Sequence, residues 1–184
     1  MNLPPNFPAL LTAAAAWIDS LEQQALAHGR PLAPHELAFA HHAGVREPQR
    51  IRVLELDHFP QPADPALCAA AQAYGLLSER TCGLTAGHGI LLRRGVADAR
   101  VLSHECRHVQ QYEVAGSAVA FLTEYLGQIV EYGYWDAPLE KDACGHEVAQ
   151  LGPISLSQEK PLTPALQDQM GSDSIEFASV MAFV

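Results

Sequence analysis

His104-Glu105-Cys106-Arg107-His108 sets two imidazoles four residues apart with a carboxylate beside the first. On a helix, residues at i and i+4 share one face about a turn apart, so both rings can reach a single metal ion. Glu105 is rotated off that face by the helical angle. Its carboxylate then stands beside the ion instead of on it, placed to take a proton from a water that the ion acidifies. The chemistry of such a pattern is hydrolysis, with Glu105 as general base. The same five residues can also arise by chance. What favours the metal is that a buried helix with three adjacent polar side chains would otherwise leave them desolvated at a cost.

A catalytic zinc takes three protein ligands and keeps a fourth position open, which calls for a further ligand downstream on a separate element. Glu140 is the candidate, 32 residues after His108, room for one helix out and another back. Asp142, His146 and Glu147 are rivals, the last two further along the same expected helix. Tyr132, Tyr134 and His146 are candidates to stabilise an oxyanion, each with a plainer role as a core or surface side chain. His88, between two glycines, could face a cleft, although a histidine so flanked is usually a turn or strand residue. His41 and His42 are adjacent, and neighbours on a helix diverge and chelate poorly. Cys106 points away from both ligands and is expected to be a small buried hydrophobe.

These side chains need elements to hold them. Apolar residues from Leu10 to Leu26 recur at helical spacing and stop at Gly29-Arg30-Pro31, predicting a first helix. A shorter one is expected from Pro34 to Ala40, so that two helices precede any strand. Ile51, Val53, Leu54 and Leu56 predict a strand, Ala66 to Tyr74 a helix, and the glycine-punctuated stretch Leu76 to Arg94 strand structure. The motif helix is expected from about Val96 to Ala115, ended by Gly116. Ser117 caps the next, which runs to about Tyr132, and Asp136-Ala-Pro138 opens another, with Asp136 as cap.

His104-Glu105-x-x-His108 followed by Glu140-x-x-Ala143 resembles the gluzincins, zinc metallopeptidases whose third ligand is a helical glutamate. The resemblance selects Glu140. The flanking Gly83-Leu-Thr-Ala-Gly-His-Gly-Ile90 and Val109-Gln-Gln-Tyr112 are similar to minigluzincins and to small uncharacterised bacterial HExxH proteins, over roughly residues 50 to 148. The resemblance implies an α+β, zincin-like fold, a small mixed sheet packed on the HExxH helix, one zinc ion as cofactor, and hydrolysis of a peptide or protein substrate. It also implies that the strand before the motif helix, here Thr85 to Leu92 with His88 on it, rims a cleft where an extended peptide adds as an antiparallel strand. One departure stands out. Many gluzincins carry an acid four positions after the ligand glutamate, to hold a histidine, and this chain has Cys144 there, so that Asp142 or Glu147 would have to serve. A zinc-binding scaffold or regulatory protein without turnover would keep the ligands but has no use for Glu105. A metal-free helical interaction module is the remaining rival.

The bulk composition sets the bounds. At 184 residues one domain is expected over 1–152, with an N-terminal helical part, 1–48, a core, 50–148, and an irregular tail, 153–184. A net charge of −10, from 11 basic against 21 acidic residues, speaks against a nucleic-acid partner. Four scattered cysteines without a C-x-x-C pair are expected to be reduced, which favours a cytoplasmic location. Neither Ala9–Ile18, which lacks a basic flank, nor Ala118–Val130, which is short and interrupted by Glu124 and Gln128, is expected to be a signal peptide or a membrane span. Specificity and oligomeric state leave no mark in the sequence. The apolar end, Ile175 to Val184, could fold back on the cleft as a built-in inhibitor.

Overall fold

Ile90-Leu91-Leu92 has no polar partner in its alternation, the mark of a strand covered on both faces. In the computed structural model, which describes residues 4–148, that strand is the centre of the fold. The elements run α1 (Phe7–His28), β1 (Arg30–Pro31), α2 (Leu37–His42), a 3-10 turn (Pro48–Arg50), β2 (Arg52–Leu56), α3 (Pro65–Ala73), β3 (Gly83–Ala86), β4 (Gly89–Arg93), α4 (Ala99–Ala115), α5 (Ala118–Tyr132) and α6 (Pro138–Gly145). This is an α+β arrangement around a four-stranded mixed sheet of order β1-β2-β4-β3. β2 and β4 are parallel, with Val53 opposite Ile90, and β3 returns antiparallel, with Thr85 opposite Ile90.

The period of two divides the core. Ile90, Leu92 and Val53 pack with Val101, Leu102, Cys106 and Val109 of α4. Leu91 faces the other way, to Ala14, Ile18, Leu21 and Ala25 of α1. The sheet therefore lies between α1 and the motif helix, and α4 is tied to β3, α5 and α6. Asp98 starts α4 by accepting from the amides of Arg100 and Val101, and Gly116 ends it at φ +78°, a conformation costly for other residues. Ser117 caps α5 through the Ala120 amide, as expected.

Several expectations are corrected. Two helices do not precede every strand: Arg30–Pro31 pairs with Val53 and Arg52 as β1, too short for any alternation to announce. The predicted edge strand Thr85 to Leu92 is a hairpin. Its edge is only Gly83–Ala86, the turn falls at Gly87-His88, and β4 lies inside the sheet. Asp136 does not cap α6; Ala137 occupies that position, and Asp136 pairs with Lys141 at 2.7 Å. The amide of Leu139 is satisfied by Gln128 Oε1 on α5 instead, at 2.8 Å. The four cysteines are free thiols, Cys106 fully buried. Among the described residues no helix is long and apolar enough to cross a membrane. The expected tail, with Ile175 to Val184, lies outside the described residues.

Candidate metal centre

Helix α4 brings His104 and His108 to one face, and α6 brings Glu140 against them; all three are buried. The two Nε2 atoms are 3.1 Å apart, and each is 3.4 Å from a Glu140 oxygen, Oε2 to His104 and Oε1 to His108. This donor set, with ligand atoms within 4.8 Å of one another, could hold a metal ion.

The surroundings fix which atoms carry protons. Gln111 Nε2 faces two acceptors, the Leu139 carbonyl at 3.0 Å and Asp142 Oδ2 at 2.7 Å. Its amide is thereby oriented, and its Oε1 must be what meets His108 Nδ1 at 2.8 Å. His108 therefore donates from Nδ1. His104 Nδ1 meets the carboxylate of Glu147 at 3.2 Å and donates as well. In the neutral rings both Nε2 atoms then carry lone pairs, aimed at each other and at a carboxylate. Such convergence is repulsive unless a positive centre, a proton or a cation, lies among them. Tyr125, on α5, donates its hydroxyl to Glu140 Oε1 at 2.6 Å and fixes that carboxylate. Arg107 holds Asp142 by two bonds, at 2.7 and 3.1 Å, and so braces the Gln111 chain.

Titration follows this geometry. Burial pushes the His104 imidazole down, but hydrogen bonds with Cys144, Glu140 and Glu147 prevail and the ring is pushed up to about 12 from its usual 6.5. Burial would raise Glu140, yet bonds from His104, His108 and Tyr125 hold it well below its usual 4.5. In chelator-treated protein a proton thus fills the gap. The raised histidine stabilises the fold fully below 6.5 and loses that contribution as pH rises toward about 12. The depressed glutamate stabilises above 4.5 and loses its contribution as pH falls below it. The melting temperature of metal-free protein is accordingly expected to peak between these two values, 4.5 and 6.5, and to decline on both sides. A flat profile across pH 5 to 9 would contradict the coupling.

Glu105 is buried beside this cluster without joining it. Thr85 Oγ1, on the edge strand, donates to Glu105 Oε2 at 2.6 Å. Glu105 Oε1 lies over Gly83, where a Cβ would overlap it, so that only glycine leaves the carboxylate this berth. His104, Glu105, His108 and Glu140 form one wall of a cavity of about 570 Å³, whose other walls come from α1, α3, α5 and the segment 74–83.

The remaining sequence candidates separate. Tyr134 lines the cavity near Glu140, and burial followed by the charges of Glu140 and Glu105 raises its phenol, which stays protonated and able to donate. Tyr132 is half exposed at the end of α5 and lies away from the cavity, since the helix turns its side chain outward. His146 also stays outside, its Nδ1 at 2.8 Å from the Asp142 carbonyl. His88 sits in the hairpin turn, not on the cleft, and its Nε2 is 3.3 Å from Glu113. Asp142 and Glu147 stand behind the histidines, and Cys144 Sγ is 4.0 Å from His104 Nδ1.

Gln111, Tyr125 and Gly83 had no role assigned from sequence. For Gln111 there was a signal: a polar residue three positions after His108, on the helix face that the motif itself marks as buried. The described residues hold two further donor groups, His104–Cys144–Glu147 and Glu47–His88–Glu113. The first would draw on the outer nitrogen of His104. In the second, Glu113 already accepts from the amides of Arg46 and Glu47, at 2.7 and 3.0 Å, and Glu47 pairs with Arg50. No protein-family model, curated protein or solved structure matches this chain.

Proposed function

We propose that the chain is a zinc-dependent metallopeptidase of zincin-like fold, a hydrolase of peptide bonds. The observation that carries this reading is the convergence of two Nε2 lone pairs and the Glu140 carboxylate, each oriented by a partner behind it. Two imidazoles and a carboxylate are the ligand set of hydrolytic zinc sites that keep a fourth position for water or substrate. When bound there, zinc supplies Lewis acidity, polarising a carbonyl oxygen and acidifying water.

The protein's own groups do the rest. Glu105 is not needed to hold the metal, and a carboxylate pinned on one oxygen by Thr85 keeps the other for proton transfer. It takes the proton of the attacking water and returns it to the leaving amine. The Tyr134 hydroxyl, on the cavity wall, is the candidate donor to the developing oxyanion. The edge position of β3 leaves one side of that strand without a partner in the sheet, where an extended peptide can align.

Metal analysis of protein purified without a chelating tag tests the reading first: about one zinc per chain is expected. Metal-free protein that takes up no zinc would remove it. Zinc with no turnover of a mixed peptide library would leave the inactive scaffold or regulatory role instead.

The berth over Gly83 yields a sharper expectation. Gly83→Ala forces the Glu105 carboxylate aside while touching no ligand. Zinc content should stay as it is and the hydrolysis rate should fall by about 10²-fold, the usual penalty for a misplaced catalytic group. Unchanged kinetics would show that Glu105 need not sit there.

A further inference from the structure

The cavity beside the metal centre is larger than one side chain requires. It measures about 570 Å³, whereas a cavity of roughly 150 Å³ suffices for a benzene ring. By that measure there is room for at least three such groups. Its lining is apolar for most of its extent, with Leu10 and Ala14 of α1, Leu67 of α3, and Leu122 and Leu126 of α5. Away from the metal centre, Arg80 is the one charged residue in the wall among the described residues. Both tryptophans of the chain, Trp17 and Trp135, line it, and Trp135 is 59% exposed. An exposed indole at the rim of an apolar hollow is unfavourable in water and is common where a partner covers it.

We propose that this cavity binds peptides with two consecutive bulky, uncharged apolar residues beside the scissile bond. The proposal rests on the peptidase reading for the words scissile bond, but the binding can be measured apart from it. Three observations support the occupant. The hollow is continuous with the wall formed by His104, Glu105, His108 and Glu140, so whatever fills it lies against the metal centre. Its volume takes two large side chains together with the peptide backbone that carries them, and leaves one alone badly underpacked. The carboxylates of Glu105 and Glu140 in its wall and the net charge of −10 oppose acidic side chains. Helix α1 supplies one wall of the site through Leu10, Ala14 and Trp17.

The test uses the full chain, zinc-loaded and carrying Glu105→Gln so that peptides are bound without turnover. Acetylated and amidated Ala-Phe-Leu-Ala is titrated against Ala-Ser-Asp-Ala of the same length, followed by tryptophan fluorescence and calorimetry. The apolar peptide is expected to bind at least about 10²-fold more tightly, roughly tenfold for each buried side chain, and to change the indole emission. Leu126→Glu should remove that preference, and Trp135→Ala, an exposed position whose loss should not affect folding, should weaken it by about tenfold. Equal binding of the two peptides overturns the proposal. So does tight apolar binding that appears only after truncation before Gly171, because the occupant would then be the chain's own end. Preferential binding by the full chain supports it, whether or not the wild-type protein cleaves the same peptide. Absence of cleavage in that case removes the peptidase reading alone.

Discussion

Glu105→Gln is expected to keep about one zinc per chain while peptide hydrolysis falls by roughly 10²–10⁴-fold, the range that a positioned general base contributes. Glutamine has nearly the same shape and can still meet Thr85, so the change removes basicity and little else. The ligand cluster is independent of it, because His104, His108 and Glu140 are oriented from behind by Glu147, Gln111 and Tyr125. Two measurements on one preparation decide the matter: metal content, and the rate on a peptide that the wild-type protein cleaves. Equal rates would sink Glu105 as the base. Zinc lost together with activity would instead make Glu105 part of the metal site, contrary to its separation from the ligands.

What was legible in the sequence is what local spacing encodes. The HExxH face, the Gly116 stop and the Ser117 cap all lie within a few residues of the features they govern, and the structure realises each of them. Spacing from His108 left Glu140 level with Asp142, His146 and Glu147, and only the resemblance singled it out; α5 and α6 are the helix out and the helix back that bring it against the histidines. The partners that fix proton positions were another matter. Gln111 is oriented by Leu139 and Asp142, about 30 residues away, and Tyr125 meets Glu140 across a helix pair. No periodicity in one segment announces such contacts. His88 shows the converse, since two flanking glycines marked a tight turn as well as they could have marked an open strand. The turn sends the ring to Glu113, away from the cleft.

The acceptors behind the two histidines show how the same physical demand is met by different residues. A histidine whose inner nitrogen must present a lone pair needs an acceptor at its outer one. On α6 Cys144 places a thiol 4.0 Å from His104 Nδ1, a poor acceptor. Glu147, just past the end of α6, reaches the same nitrogen at 3.2 Å, and Arg100 holds the carboxylate from its other side at 3.4 Å. The Glu147 carboxyl is held below its usual range by His104 and Arg100 against the opposing effect of burial, so it stays ionised and able to accept. His108 obtains its acceptor from a neutral amide, Gln111, which Asp142 and Arg107 brace. One charged and one neutral acceptor thus stand behind the two rings.

That asymmetry makes the charge of Glu140 decisive for affinity. Glu140→Gln keeps the side chain's length and its contact with Tyr125 but leaves two neutral imidazoles facing a neutral amide. A divalent ion then loses its one anionic ligand, and the dissociation constant should rise by at least about 10²-fold, the upper range seen when even the groups behind ligands are removed. Thermal stability offers the readout. At free zinc of about 1,000 times the wild-type dissociation constant, binding adds about 4 kcal/mol to stability, which for a domain of this size raises the melting temperature by roughly 8–16 °C. The variant under the same conditions keeps only about 1.4 kcal/mol, a rise of roughly 3–6 °C. Gln111→Leu, which strips the orienting acceptor from His108, should fall between the two. If Glu140→Gln shows the full zinc-induced rise, the carboxylate is not a ligand, and the ion would have to be held by other donors of the chain.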